Sequence, residues 1–304
     1  MQIHHSPVMV DEVLGSLAPK TGKKFIDCTM GESGHSEEML KMGAEVLGID
    51  LDTEAIEVSR RRLHEYGSQV KFAHGNFSEL VSIATDQGFL YADGILFDLG
   101  FSSLQIETST RGFSINRNAR LDMRFDPNQG MTAHEIINSY EEQRLSRLIY
   151  SFGEERSARK IAHSIVASRP INTTTELADV VLRAVGRRPK SKIHPATKTF
   201  QAIRIAVNQE LENLKSALDA AVRVLAVAGR LAIISYHSLE DRIVKQFFKL
   251  ESTECICPPV IPSCICNHTA RLSLIKRKLT RPSATELNDN PRSRSARLRL
   301  AEKI

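Results

Sequence analysis

The 304-residue sequence predicts an α/β fold: a Rossmann-like, mainly parallel sheet into which an all-helical domain is inserted. Three observations predict it. Apolar strand signals alternate with helical periodicity from Lys24 to Asp98, glycines stand at the first strand-to-helix turn, and the alternation lapses after about Ile106 and returns near Ile203. Residues 1–105 and 203–304 are therefore expected to form one discontinuous α/β domain, with residues 106–202 as the helical insertion.

The elements follow in order. A short helix is expected over residues 7–17, a compact strand over 24–27, and a helix over 36–42 after the glycines. A second strand covers 46–50, a helix 53–66, a third strand 70–73, and a fourth strand 91–98 with the apolar centre Gly94-Ile-Leu-Phe97. From Ile106 the pattern gives way to a loop rich in Arg and Asn, residues 111–124, and then to helical periodicity over 131–169 and 174–186. A helix over 202–228, a turn at Gly229, a strand over 230–235 and a helix over 239–249 complete the α/β part. The tail from Arg271 should add one or two strands.

Composition narrows the setting. A hydrophobic content of 41% is ordinary for a globular chain. No apolar run reaches the roughly 18 residues of a membrane span, and the first residues lack a signal-peptide layout, so a cytoplasmic location away from membranes is expected. The net charge of +5 is unevenly spread: residues 1–105 carry 8 Lys+Arg against 16 Asp+Glu, residues 106–202 carry 16 against 10, and residues 271–304 carry 10 against 3. Basic blocks of this kind suit a polyanionic partner or form a solvated surface.

The turn Asp27-Cys-Thr-Met-Gly31-Glu-Ser33-Gly34-His35-Ser places glycines where backbone N–H groups can approach a ligand. Asp50 closes the second strand 19 residues after Gly31, where a carboxylate accepts hydrogen bonds from ribose hydroxyls. A dinucleotide site would want a third glycine and no acid beside the pyrophosphate. Asp27 would repel a pyrophosphate and attract the ammonium of a methionine moiety, so S-adenosylmethionine fits better than NAD and the fold narrows to a class I methyltransferase. Phe77, just past the third strand, would lie near an adenine or simply pack against its neighbours.

Asp98, in Phe97-Asp98-Leu-Gly100-Phe-Ser-Ser103, ends the fourth strand at the carboxyl edge of the sheet. A base amino group is a weak nucleophile because its lone pair is delocalised. A carboxylate accepting its N–H hydrogens would favour the reactive geometry, which makes Asp98 the candidate catalytic residue, with a local turn cap as its structural alternative. Carbon-5 methylation of a pyrimidine needs a cysteine nucleophile here. None stands in the Asp98 loop or in Ile234-Ser-Tyr-His237-Ser238, so amino or ribose methylation is the better match.

Taken together, Asp27-Cys-Thr-Met-Gly-Glu-Ser-Gly-His-Ser36, Gly48-Ile-Asp-Leu-Asp52, Asp98-Leu-Gly-Phe-Ser-Ser-Leu-Gln105, Leu121-Asp-Met-Arg124, His194-Pro-Ala-Thr-Lys-Thr-Phe-Gln-Ala-Ile-Arg204, Ser235-Tyr-His-Ser-Leu-Glu-Asp-Arg242 and Asn290-Pro-Arg-Ser-Arg-Ser-Ala296 resemble one family. It is the bacterial small-subunit rRNA cytidine N4-methyltransferases, the RsmH or MraW family, and the resemblance runs nearly end to end. It implies methyl transfer from S-adenosylmethionine to N4 of a decoding-centre cytidine, cytidine 1402 of 16S rRNA, with that rRNA or the small ribosomal subunit as partner. It also implies cofactor contacts at Ser33, Gly34, His35, Asp50, Phe77, Asp98 and Gln105. Two positions depart from the family pattern: Leu104 stands where Pro is common, and Ser33 where Gly is frequent. The oligomeric state stays open, a homodimer included.

Several stretches carry two readings. Lys198, Gln201 and Arg204 share helical spacing and would form a phosphate-binding face or an ordinary solvated one. Ser238 is expected to cap the helix that follows, with Asp241 at its third position, leaving His237 to contact substrate or satisfy a local hydrogen bond. Cys255, Cys257, Cys264 and Cys266 would converge on zinc or remain reduced thiols in a surface loop, and no metal is assigned.

Overall fold

The computed structural model describes residues 7–102, 111–128, 130–186, 193–258, 263–276 and 278–304. They divide into two units, one of Met1–Gly100 with Leu211–Ile304, the other of Phe101–Glu210. The first begins with α1 (Val10–Leu17), β1 (Lys24–Asp27), α2 (Gly34–Lys41), β2 (Glu45–Asp50), α3 (Thr53–Arg62), β3 (Val70–His74), α4 (Leu80–Gln87) and β4 (Ala92–Asp98). The second holds α5 (Ala133–Ser139), α6 (Glu142–Gly153), α7 (Ala158–Ala167), α8 (Thr174–Val185) and α9 (Thr197–Asn208). The first unit is completed by α10 (Glu210–Val224), β5 (Leu225–Ser235), α11 (Ser238–Glu251), β6 (Leu272–Leu274), α12 (Ala284–Asp289) and β7 (Arg297–Lys303).

The seven strands form one sheet in the order β3-β2-β1-β4-β5-β7-β6. The first five in that order run parallel, and β7 pairs antiparallel with β5 and β6. Helical crossovers cover both faces, so the inner strands are apolar on alternate sides. Ile26, Leu47, Ile49, Ile95, Phe97, Leu231 and Ile233 face one core with α4, α10 and α11. Phe25, Val46, Leu96, Ala232 and Ile234 face the other with α1 and α2. Each such large side chain removed from water contributes about 1.5–3 kcal/mol. Chain order reverses between β1 and β4, the switch point where the carboxyl ends of parallel strands open a ligand crevice.

The second unit has its own core, in which Leu145, Ile149, Ile161, Ile165, Leu177 and Val181 recur at helical spacing. Thr132 with Glu135 and Thr173 with Glu176 form capping boxes that start α5 and α8. Among the described residues its regular structure is helical, apart from an isolated bridge between Arg120 and Thr173.

Three expectations are corrected. The single helix expected over 202–228 is two helices, because Gln209 adopts φ 51° and its N–H closes on Ile205 O, ending α9. Residues 225–228 belong to β5: Leu225 pairs with Ala92 and Arg230 with Gly94, and the intervening residues bulge, with Ala228 at φ 63°. The run Leu-Ala-Val-Ala has helical propensity, but sheet pairing overrides it. The helix α4 was not expected and closes at Gly88, φ 74°.

Candidate active site

Four parallel strands end side by side, and each carries a polar residue at or just past its carboxyl end: Asp27 on β1, Asp50 on β2, Asp98 on β4, and Ser235-Tyr236 on β5. The turn after β1 is splinted between its neighbours. Cys28 N–H donates to Leu96 O at 2.9 Å and Met30 N–H to Ile49 O at 3.0 Å. Gly31 (φ 51°) then donates its N–H to Asp50 Oδ2 at 2.7 Å, while Asp52 N–H donates to Oδ1 at 2.8 Å. Each Asp50 oxygen thus holds one backbone donor and retains lone-pair capacity for a hydroxyl.

The turn has no spare room. A Cβ on Gly48 would lie 2.0 Å from Met30 Sδ, and one on Gly34 would lie 3.0 Å from the Pro7 ring. Ser33 is buried at φ 63°, where glycine is favoured, so its departure from the family pattern is a strained one. Its hydroxyl donates to Glu32 O at 2.7 Å.

Behind the turn lies a polar cluster. Asp27 accepts from Ser36 Oγ at 2.7 Å and from Thr29 N–H at 3.2 Å. His35 Nε2 donates to Val8 O at 2.9 Å, and its Nδ1 lies 3.8 Å from Asp98 Oδ2. Asp98 is fixed twice, its backbone N–H donating to Thr29 Oγ1 and its Oδ1 accepting from Tyr236 OH, both at 2.7 Å. A Cβ on Gly100 would press the Tyr236 ring at 3.2 Å, so the glycine admits the ring.

Burial governs the protonation of this cluster. Desolvation raises the Asp98 carboxyl to about 6, against neighbouring His35 and the Tyr236 hydroxyl, which favour the charged form. Asp50 likewise rises to about 6, with desolvation outweighing its two backbone donors, and Asp27 is raised by desolvation. The Tyr236 hydroxyl stays protonated, pushed well up by burial and by Asp98. Three desolvated carboxylates at one sheet edge favour a cationic ligand group and oppose a phosphate, a donor set suited to a sulfonium and an ammonium.

The remaining expected residues fare differently. Phe77 follows β3 and packs edge-on against Phe97 at 5.7 Å between centroids. Gln105 lies outside the described residues. Lys198, Gln201 and Arg204 do share a face of α9, but that face turns into its own unit. Lys198 Nζ donates to Glu154 O at 2.8 Å and Gln201 to Phe152 O at 3.0 Å. Arg204, 8% exposed, makes paired bonds to Glu210 at 2.8 and 2.9 Å and stacks over Phe101.

His237, not Ser238, caps α11. Its Nδ1 accepts from Glu240 N–H at 3.3 Å, and Glu240 Oε2 accepts from the N–H groups of Tyr236 and His237. The third helical position is therefore Glu240 rather than Asp241, which instead holds Arg297 and Arg299. Sequence reasoning missed Tyr236 and Thr29, both of which touch Asp98. Their signal was positional: each sits one or two residues past a strand end neighbouring β4.

The MraW methylase family model matches residues 2–304. The chain is 49% identical to the ribosomal RNA small subunit methyltransferase H of Dehalococcoides mccartyi, over 99% of this chain and 86% of that protein. It is also 49% identical to the protein of the same name from Thermomicrobium roseum, over 99% of this chain and 94% of the relative. Among solved structures it is similar to an rRNA methylase from Streptococcus thermophilus, at 11% identity over 100% of this chain and 99% of that one, with a TM-score of 0.46.

Proposed function

The chain belongs to the MraW methylase family, and from that premise we propose that it methylates N4 of a decoding-centre cytidine, cytidine 1402, in 16S rRNA. It is a methyltransferase that uses S-adenosylmethionine and acts on small-subunit rRNA. The observation that carries the finer reading is Asp98, held at the end of β4 by Tyr236 and Thr29 with its carboxyl near pKa 6.

When bound, S-adenosylmethionine supplies a methyl group on a positively charged sulfur. Asp50 would accept from its ribose hydroxyls, Asp27 would neutralise its ammonium, and Ser33, Gly34 and Phe77 would shape the cradle. His35 would support this cradle, its ring lying between Val8 O and the Asp98 carboxyl. The Asp98 carboxylate accepts an N–H of the cytosine amino group, which orients the nitrogen lone pair toward the methyl carbon. Because the methyl group would leave sulfur as a neutral thioether while its carbon bonds to nitrogen, the amino group would have to shed a proton, which a carboxylate of this basicity could accept.

Cys28 supports nitrogen over carbon methylation: burial and Asp27 push its thiol well up, so it remains a buried thiol and no nucleophile. The basic second unit, together with the tail, supplies phosphate contacts that position RNA without reading sequence. Part of the tail's charge is already neutralised, since Arg271, Arg297 and Arg299 pair with Glu251, Asp219 and Asp241. Choice of base therefore rests with the pocket and with an unstacked cytidine.

The test is nucleoside analysis of small ribosomal subunits from a strain lacking the gene. The N4-methyl mark should be absent at cytidine 1402 and restored by the purified enzyme. Full retention of the mark in that strain refutes the assignment.

A further inference from the structure

Outside the strand-end cluster, one group of side chains has no role in methyl transfer. Cys255, Cys257, Cys264 and Cys266 lie between α11 and β6, and their four sulfurs fall within 4.8 Å of one another. Cys255 and Cys264 are separated by 3.5 Å, Cys264 and Cys266 by 3.5 Å, and Cys255 and Cys266 by 3.9 Å.

These separations suit four thiolates around one tetrahedral ion. Disulfide sulfurs stand about 2.05 Å apart, far closer than any pair here. Four thiolates placed tetrahedrally about 2.3 Å from one zinc ion stand about 3.8 Å from each other. A cluster of several irons would hold its cysteine sulfurs farther apart than a single ion does.

Hydrophobic packing does not explain the group. The residue inside each C-x-C pair is isoleucine, and Ile256 and Ile265 are 49% and 71% exposed while the sulfurs gather together. Burial of apolar surface alone would turn the isoleucines inward. Residues two apart in extended chain project to the same side, so two C-x-C pairs brought face to face present four sulfurs to one point. The segment's ends are tied together as well: His268 Nε2 donates to Leu250 O at 3.0 Å, and Arg271 N–H to Glu251 O at 2.8 Å. Ile265 N–H donates to Cys257 Sγ at 3.4 Å, the kind of bond a metal-bound thiolate accepts.

We propose that Cys255, Cys257, Cys264 and Cys266 bind one zinc ion in a closed tetrahedral thiolate site that fixes the segment between α11 and β6. All four positions are filled by protein, so the ion is structural.

The full-length protein, expressed with zinc and desalted under reducing conditions, should carry about one zinc per chain by elemental analysis. Replacing the metal with Co(II) should yield the charge-transfer and d–d bands of a tetrahedral tetrathiolate. Cys264→Ser/Cys266→Ser should lose the metal, whereas Cys28→Ala should keep it. As a measure independent of variant folding, added zinc should protect four thiols of the wild type from alkylation. Zinc content well below one per chain, iron in its place, metal unchanged in the double variant, or alkylation indifferent to zinc would each overturn the proposal. Binding of S-adenosylmethionine, measured separately, reports on the methyltransferase site and distinguishes the two readings.

Discussion

Tyr236→Phe isolates what the Tyr236 hydroxyl does for Asp98. The hydroxyl donates to Asp98 Oδ1 at 2.7 Å and opposes the desolvation that holds the carboxyl near 6. A hydrogen bond to a charged acceptor is worth about 1.5–3 kcal/mol, and one pKa unit corresponds to about 1.36 kcal/mol. Loss of the hydroxyl should therefore raise the carboxyl by about one to two units, to about 7–8. The proposed mechanism needs the ionised form, so the acid limb of the single-turnover rate should move up by the same amount. At pH 7 the ionised fraction falls from about 0.9 to between about 0.5 and 0.1, a loss of roughly two- to tenfold, while near pH 9 the rate recovers. The assay is methyl transfer to small subunits between pH 5 and 9. A loss equal at every pH, or an acid limb still near 6, refutes the reasoning.

Asp98→Asn should abolish transfer yet stabilise the fold. The folded pKa of about 6 lies above the unfolded 3.8, so the group's contribution is full below about 4 and lost as pH rises through 6. At pH 7 the charge costs up to about 3 kcal/mol, and urea midpoints should favour the variant at pH 7 but converge with wild type near pH 4. Gly48→Ala should destabilise by about 1–3 kcal/mol and weaken cofactor binding in titration calorimetry, because its Cβ displaces Met30 and the Gly31 turn. An unchanged affinity would show the turn to be more pliable than its contacts imply. Arg204→Ala should cost about 1.5–3 kcal/mol by removing its paired bonds to Glu210 and its stacking over Phe101, with thermal melting as the measure. If RNA affinity falls while melting is unchanged, Arg204 faces phosphate after all.

Sequence alone determined the α/β part and the strand ends that carry Asp27, Asp50 and Asp98. Those features arise from local causes: apolar alternation, glycines at a turn, and carboxylates at fixed intervals. It also marked the four cysteines as a group, but assigned them no metal because spacing says nothing about whether sulfurs meet.

Tertiary structure decided what depends on partners distant in sequence. Tyr236 reaches Asp98 across 138 positions because β4 and β5 are neighbours, a pairing no local signal announces. The break at Gln209, where the chain turns left-handed, and the strand at residues 225–228, where Leu225 pairs with Ala92, both run against helical propensity. Spacing put Lys198, Gln201 and Arg204 on one helix face, yet only packing determined that this face meets Glu154, Phe152 and Glu210 within its own unit. A helical repeat specifies which residues share a side; what lies opposite that side is set by the rest of the chain.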